Sequence, residues 1–400
     1  MNKTTFCNSL ASFAAITTLI FAACSKQDGA TSGDEPVKLS VELRSQDSHA
    51  VDELAGKMHF RIVPLETTDS SIFKGSASRL LSTDGGYIIM DYSQNKFLRF
   101  DKDGKFIKTI DRRGGGPEEY QREYSSCVKD GRLYVLDFDK IMVYDLDGNY
   151  QNTIKGVSGA RGSLAVGSDR CLYLRQGFQN DKMLKVLSAS GDSLTEEFPS
   201  REVMRGFEIP RDAFSAISPY KDGAVVTFAT DPNVYYVCDT TSQVIATIDY
   251  PGLNLPSDFF NGGTEAVENR YHNLRVDKSG ETRAVVLTDN IVGSDTWLVY
   301  TPEYFGPVSM AFSDLRSGKS YTNRELPAPL NVLLNSKKTI DGYSPSTDEF
   351  FMILSSEQLK EMLNDPTNAE AIARWPELAA IDPETIGEED NDCVLFISLD

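Results

Sequence analysis

The residues best placed to do chemistry surround one glycine-rich stretch. Arg112 and Arg113 precede Gly114-Gly115-Gly116-Pro117, and Glu118, Glu119 and Tyr120 follow it. Two guanidinium groups beside two carboxylates and a phenol could bind a cation, a sugar or a basic peptide. The glycine run could also suggest a phosphate cradle. It lacks the Gly-Lys-Ser/Thr continuation of such a loop, and a strand rather than a helix follows. A tight crossover whose backbone needs positive φ explains these glycines better.

Further polar groups come from loops later in the chain: Asp137, Asp139 and Lys140, then Asn180 and Asp181, Asp231, and finally Asp289 and Asp295. Two Asp-x-Asp-Gly segments, starting at Asp101 and Asp145, resemble fragments of a calcium loop. The twelfth positions are Arg112 and Gly156, where that loop needs a glutamate, so both segments read as hairpin turns. The three histidines, His49, His59 and His272, are far apart and never at metal-ligand spacing. No Gly-x-Ser-x-Gly elbow is present. We therefore expect no metal and no cofactor. Cys127, Cys171, Cys238 and Cys393 stand singly inside apolar strands, which reads as buried free thiols rather than a disulfide framework.

The elements that must position these residues announce themselves by repetition. Asp101-Lys102-Asp103-Gly104-Lys105-Phe106-Ile107-Lys108-Thr109-Ile110 recurs 44 residues later as Asp145-Leu146-Asp147-Gly148-Asn149-Tyr150-Gln151-Asn152-Thr153-Ile154. A period of this length built from strands and tight turns predicts an all-β fold, a six-bladed β-propeller of four-stranded antiparallel blades.

The strands of the first blade are expected at 77–82, 87–92, 97–101 and 106–111, and those of the second at 126–129, 133–137, 141–145 and 150–155. A third follows at 164–167, 171–175, 183–188 and 193–198, and a fourth at 214–218, 224–229, 234–239 and 244–248. The fifth is expected to start near Leu274 and to continue through 284–287, 297–300 and 308–315. For the sixth only 331–334, 349–354 and 393–398 remain. The orphan strand His59–Leu65 supplies the fourth and closes the ring, removing open sheet edges. Capping boxes at Ser355-Ser356-Glu357-Gln358 and Thr367-Asn368-Ala369-Glu370 place a short helical insertion in the last blade, over about 355–380.

Antiparallel winding puts the loops between second and third strands on the same end as the blade-to-blade crossings. Arg112, Arg113, Glu118, Glu119, Tyr120, Asp137, Asp139, Asp181 and Asp231 are therefore expected to share one face, as ligand or partner candidates.

The N-terminus carries an export signature. Lys3 precedes an apolar run from Leu10 to Ala23, too short to span a membrane and followed by Cys24. Ala22-Ala23-Cys24 matches a lipobox, so residues 1–23 read as a signal peptide and Cys24 as the acylated first residue. Residues 24–36 form a polar tether, and 37–400 the propeller. Removing the leader takes away Lys3 and no acid, so the net charge of −19 becomes −20. There is no basic stripe, which excludes nucleic-acid binding and electrostatic adhesion to anionic lipid.

Several of these segments together resemble a known family. Val63-Pro64-Leu65-Glu66-Thr67, Phe100-Asp101 with Asp103-Gly104-Lys105-Phe106, Gly115-Gly116-Pro117-Glu118-Glu119-Tyr120, and Asp390-Asn391-Asp392-Cys393-Val394-Leu395 are similar to the six-bladed β-propeller lipoproteins of Bacteroidota, related in shape to NHL-repeat propellers. The resemblance implies the fold and export to the cell envelope, on the periplasmic or surface side of the outer membrane. It brings no catalytic residues.

Two functions follow as expectations. One is a tethered binding or scaffold module for a glycan, a peptide or an envelope protein. The other is a metal-assisted hydrolase or lyase with an acidic channel site. Carboxylates from three or more blades gathered around the axis would favour the second.

Overall fold

In a computed structural model, the structure describes residues 35–44, 48–73, 78–157, 160–168, 170–176, 180–205, 217–275, 279–304, 308, 310–326, 328–335, 339–387 and 389–400. Cys24 and the signal segment lie outside these residues. The described chain forms six sheets arranged as a propeller, each antiparallel through four strands. The inner strands are Ser78–Thr83, Ser125–Lys129, Ala160–Val166, Ile217–Tyr220, Thr288–Gly293 and Gly342–Ser344. Each lies beside the next around the ring, and the sixth returns to the first.

Blades 1 to 4 fall where the alternating pattern places them, except that of the strand expected at 214–218 residues 214–216 lie outside the described residues and the inner strand is Ile217–Tyr220. Their inner hairpins turn tightly. At Asp130 (φ 50°) and Gly131 (φ 67°), both central residues adopt positive φ, the geometry that matches strand twist.

The 44-residue repeat has a structural cause beyond the turn itself. Asp101 Oδ1 accepts the N–H groups of Asp103 and Lys105, both at 2.9 Å. Asp145 Oδ1 does the same for Asp147 and Asn149, at 2.9 and 2.8 Å. These aspartates thus serve their own backbone, as turn residues do. The glycine that follows, Gly104 or Gly148, sits at φ 82°. A Cβ at Gly104 would strike the Pro64 carbonyl of blade 6, and one at Gly148 would meet Ile110 of blade 1 at 2.7 Å. Each outer turn therefore docks against the outer strand of the preceding blade, and only glycine permits that approach.

The ring closes with the N-terminal strand. Met58–Pro64 pairs antiparallel with Cys393–Leu399, with Phe60 opposite Ile397 and Ile62 opposite Leu395. A second use of the N-terminus has no counterpart in the sequence pattern. Val37–Ser40 adds a fifth, parallel strand to the outer edge of blade 4, with Leu39 opposite Ile248 and fully buried. Four residues carry too little periodicity to reveal such a pairing.

Three sequence expectations need correction. Leu274 belongs to a helix, Thr264–Arg275, with Val267 and Tyr271 buried one turn apart. The inner strand of blade 5 is Thr288–Gly293 rather than one near Leu274, and residues 284–287, expected as the second strand, form no strand. Asn331–Leu334 lies in the helix Ala328–Asn335, and Gly342–Ser344 is the inner strand of blade 6. A short continuous apolar run fits a buried helix as well as a buried strand, which explains the error.

The helical insertion begins where expected. The Ser355 hydroxyl caps the helix Ser356–Asn364 by accepting from the Gln358 N–H at 3.3 Å. The next cap is Asp365 rather than Thr367, because its carboxylate accepts the Thr367 N–H at 2.9 Å. Leu359, Met362, Ile372, Trp375 and Leu378 bury against blades 5 and 6, with Trp375 edge-on to Phe60 at 5.8 Å.

Candidate functional site

The two ends of the ring differ. On one end every turn is short, none longer than five residues. From the other end leave the connections 65–77, 111–124, 200–216, 250–287, 303–310, 323–341 and 355–392. Long connections are where binding groups are usually carried, on a rigid scaffold. This insertion-bearing face is the candidate functional face.

The expected residues do lie on connections of this face, but most are engaged in the fold. Tyr120 is fully buried; its ring packs edge-on against Phe97 and Tyr144 at 6.0 and 6.4 Å, and its hydroxyl donates to the Asn95 carbonyl at 3.0 Å. Arg112 Nε donates to the Gly148 carbonyl at 2.7 Å, clamping the crossing to blade 2. The Glu119 carboxylate folds back to accept the Gly116 N–H at 2.8 Å and fills the space a side chain at Gly114 would need. Asp137 is buried and accepts the N–H groups of Gln121 and Phe138, at 3.1 and 2.9 Å. Asp231 receives the Tyr235 hydroxyl at 2.8 Å, and Asp181 pairs with Arg205 at 3.0 Å. Arg113, Glu118 and Asp139 are exposed and make no side-chain hydrogen bond or ion pair among the described residues. Asp295 lies elsewhere. It sits in the inner turn 294–296 of blade 5, on the short-turn face, because that blade's strands start later than the sequence suggested.

The structure assembles a second group that the sequence did not indicate. Arg79 projects from the inner strand of blade 1. The ionisable groups acting on its charge are Tyr92 from the same blade, Glu123 and Cys127 from blade 2, and Asp341 from blade 6. Glu123 and Asp341 stand just ahead of their inner strands, and Tyr92 lies in the 92–95 loop, so all mark the insertion-bearing end of the axis. Tyr92 is 41% exposed, and burial of its phenol, with Glu123 nearby, holds its pKa well above the usual tyrosine range. Arg79 Nη1 donates to Ser125 Oγ at 3.5 Å, an oxygen that already accepts the Leu164 N–H at 3.1 Å. No carboxylate among the described residues lies within ion-pair distance of this guanidinium. Among the described residues no set of three or more His, Cys, Asp or Glu side chains is arranged to hold a metal ion.

Glu123 is only 5% exposed, and neither carboxylate oxygen has a hydrogen-bond partner among the described residues. Burial pushes its pKa up to about 7, against the opposing pull of Ser126, Arg79 and Arg122. The unfolded chain then ionises first as pH rises, so folding stability falls from about pH 4.5 and levels off above about 7. The penalty is on the order of 3 kcal/mol at its upper bound. We expect Glu123→Gln to melt at a higher temperature than the parent at pH 8 and to match it near pH 4.5. Parallel melting curves across that range would refute the assignment.

The 92–95 loop is bonded to the connections on either side of it. Gln94 Nε2 donates to the Ile72 carbonyl at 3.3 Å, and Asn95 Nδ2 to the Gln121 carbonyl at 3.4 Å. Ile72 and Tyr92 on these loops are 49 and 41% exposed, and Phe138 in the 138–139 loop of the same face is 76% exposed. The sequence signal available for this group was a charged residue, Arg79, beside Leu80 and Leu81 in an inner strand.

The fold and this face define a six-bladed β-propeller with one elaborated end. The chain belongs to the DUF4934 family, a domain of unknown function, whose model matches residues 40–398. It is similar in structure to a protein described as exported from Bacteroides fragilis. The TM-score is 0.66 at 16% identity, over 92% of this chain and 100% of that one. A member of the DUF4221 family from Bacteroides vulgatus aligns with a TM-score of 0.45 at 9% identity, over 86% and 98% of the two chains. No curated protein matches the sequence.

Proposed function

We propose that this protein is an exported lipoprotein, anchored through Cys24, whose insertion-bearing face binds an envelope protein, a peptide or a glycan. The observation that carries the binding reading is the asymmetry of the ring: its long connections leave from one end, whose loops also carry the exposed Tyr92 and Phe138. The Ala22-Ala23-Cys24 sequence supports the anchor, and the exported Bacteroides fragilis neighbour supports an envelope location. No helix among the described residues is long and apolar enough to cross a membrane. The acidic-channel hydrolase reading has less support, because among the described residues no three His, Cys, Asp or Glu side chains gather to hold a metal ion.

Two experiments test the proposal. Cys24→Ala is expected to abolish palmitate incorporation and to release the protein from the membrane fraction; unchanged labelling sinks the anchor. With the purified protein as bait in native envelope extract, Phe138→Asp and Asp139→Lys should reduce partner capture. Asp84→Lys on the short-turn face should leave it intact. Equal capture by all variants would remove the insertion-bearing face from the binding role.

A further inference from the structure

We infer that the insertion-bearing face is held away from the bilayer that carries the anchor, so its ligand arrives through the aqueous phase and not from within that bilayer. This rests on the anchor at Cys24 and on the insertion-bearing face as the binding surface, and adds the side from which that face is reached.

The first ground is the direction of the N-terminal strand. Val37–Ser40 pairs parallel with the outer strand of blade 4, Thr241–Asp249, with Val37 opposite Ala246 and Ser40 opposite Asp249. The blade 4 strand starts at the 239–240 turn on the short-turn face and ends at the connection 250–287 on the insertion-bearing face. A parallel partner runs the same way. Followed backwards from Ser40, the chain therefore heads for the short-turn face.

The second ground is what the segment touches at each end. The Lys38 carbonyl lies against the 315–319 turn of blade 5, on the short-turn face, where a Cβ at Gly318 would come within 3.3 Å of it. Beyond the strand, the Val41 N–H donates to the Asp249 carbonyl at 2.9 Å. Arg324 Nη1 donates to the Leu43 carbonyl at 3.3 Å, and Arg44 Nη2 to the Thr282 carbonyl at 2.9 Å. Arg324 and Thr282 both belong to connections of the insertion-bearing face. Residues 37–44 thus cross the outer side of the ring from one end to the other.

The third ground is that this path is fixed. Leu39, Val41 and Leu43 are buried in one cluster with Ile248, Tyr250 and Leu253. Burial of alternate side chains holds the segment against peeling. The direction in which the chain enters is therefore a property of the folded domain. Residues 24–36 can reach at most about 45 Å, whatever their conformation. To lay the insertion-bearing face on the bilayer they would have to reverse ahead of Val37 and run back past blade 4 and its connections.

The test places a donor fluorophore at either end of blade 4. The acylated chain, purified from the membrane fraction, is added to preformed vesicles of phosphatidylethanolamine and phosphatidylglycerol that carry an acceptor on the lipid headgroup. Thr240→Cys labels the short-turn end and Pro232→Cys the insertion-bearing end, both at exposed positions. A Cys238→Ser background leaves only buried thiols among the other described cysteines. The ends of a nine-residue strand stand about 30 Å apart, so energy transfer from position 240 should exceed that from 232 by about twofold or more. Leu39→Asp, which unseats the strand, should leave vesicle flotation intact and bring the two signals together; the parent comparison decides alone if that variant does not fold. Equal transfer from both parent positions, or stronger transfer from 232, with flotation intact, would overturn the inference and leave the anchor standing. A parent chain that does not float with the vesicles would remove the anchor, and this inference with it.

Discussion

A chain that begins at residue 66 is expected to give insoluble protein with no cooperative melting transition. Such a chain lacks Met58–Pro64, the outer strand of blade 6, and leaves the edge of Cys393–Leu399 unpaired along its length. It also loses Met58, Phe60, Val63 and Leu65, all buried against the strands and helices of blades 5, 6 and 1. Burial of four such side chains contributes about 6–12 kcal/mol, comparable with the whole stability of an ordinary domain. A bare edge strand adds an aggregation route. A chain beginning at 48 is the control. It loses Val37–Ser40, a short parallel addition to one outer edge, and should stay soluble, eluting as the parent does in size-exclusion chromatography, with a lowered melting temperature. Cooperative melting of the shorter chain at the parent temperature would show that the ring closes without its N-terminal strand.

Tyr120→Ala is expected to cost about 3–5 kcal/mol, the usual loss for a large buried aromatic. The side chain is fully enclosed between Phe97 and Tyr144, and its hydroxyl ties the blade 1–2 crossing to the 92–95 loop. Tyr120→Phe should lose only the hydrogen bond to Asn95, about 1 kcal/mol. Arg113→Ala and Glu118→Ala, exposed and without partners among the described residues, should stay within about 0.5 kcal/mol of the parent. Chemical denaturation of the four variants measures the series. A small effect at Tyr120, together with a large one at Arg113 or Glu118, would reverse the roles assigned to this crossing.

These contrasts show where sequence patterns served and where they failed. The Asp-Gly turns and their flanking alternation located blades 1 to 4, because both signals are local: a turn residue satisfies its own backbone, and alternation needs only neighbours. Blades 5 and 6 were harder. Their inner strands follow long helical connections, and the apolar run at 331–334 suits a buried helix as well as a strand. The glycine-proline crossing drew attention through its unusual composition, yet Arg112, Glu119 and Tyr120 turn out to hold the crossing together. A residue's type does not disclose whether its hydrogen-bonding capacity is already used.

The sequence by itself determined the repeat, the handful of tight turns, the all-β class and the need for a spare strand to complete the sixth blade. The segment behind the export proposal, the apolar run ending in Ala22-Ala23-Cys24, is equally local. Only the tertiary structure decided which polar groups meet. Arg79, Tyr92, Glu123 and Asp341 come from three blades, and closure of the ring places blade 6 beside blade 1. Hydrophobic burial fixes each blade through neighbouring residues, whereas this grouping arises only where the inner strands of separate blades lie side by side.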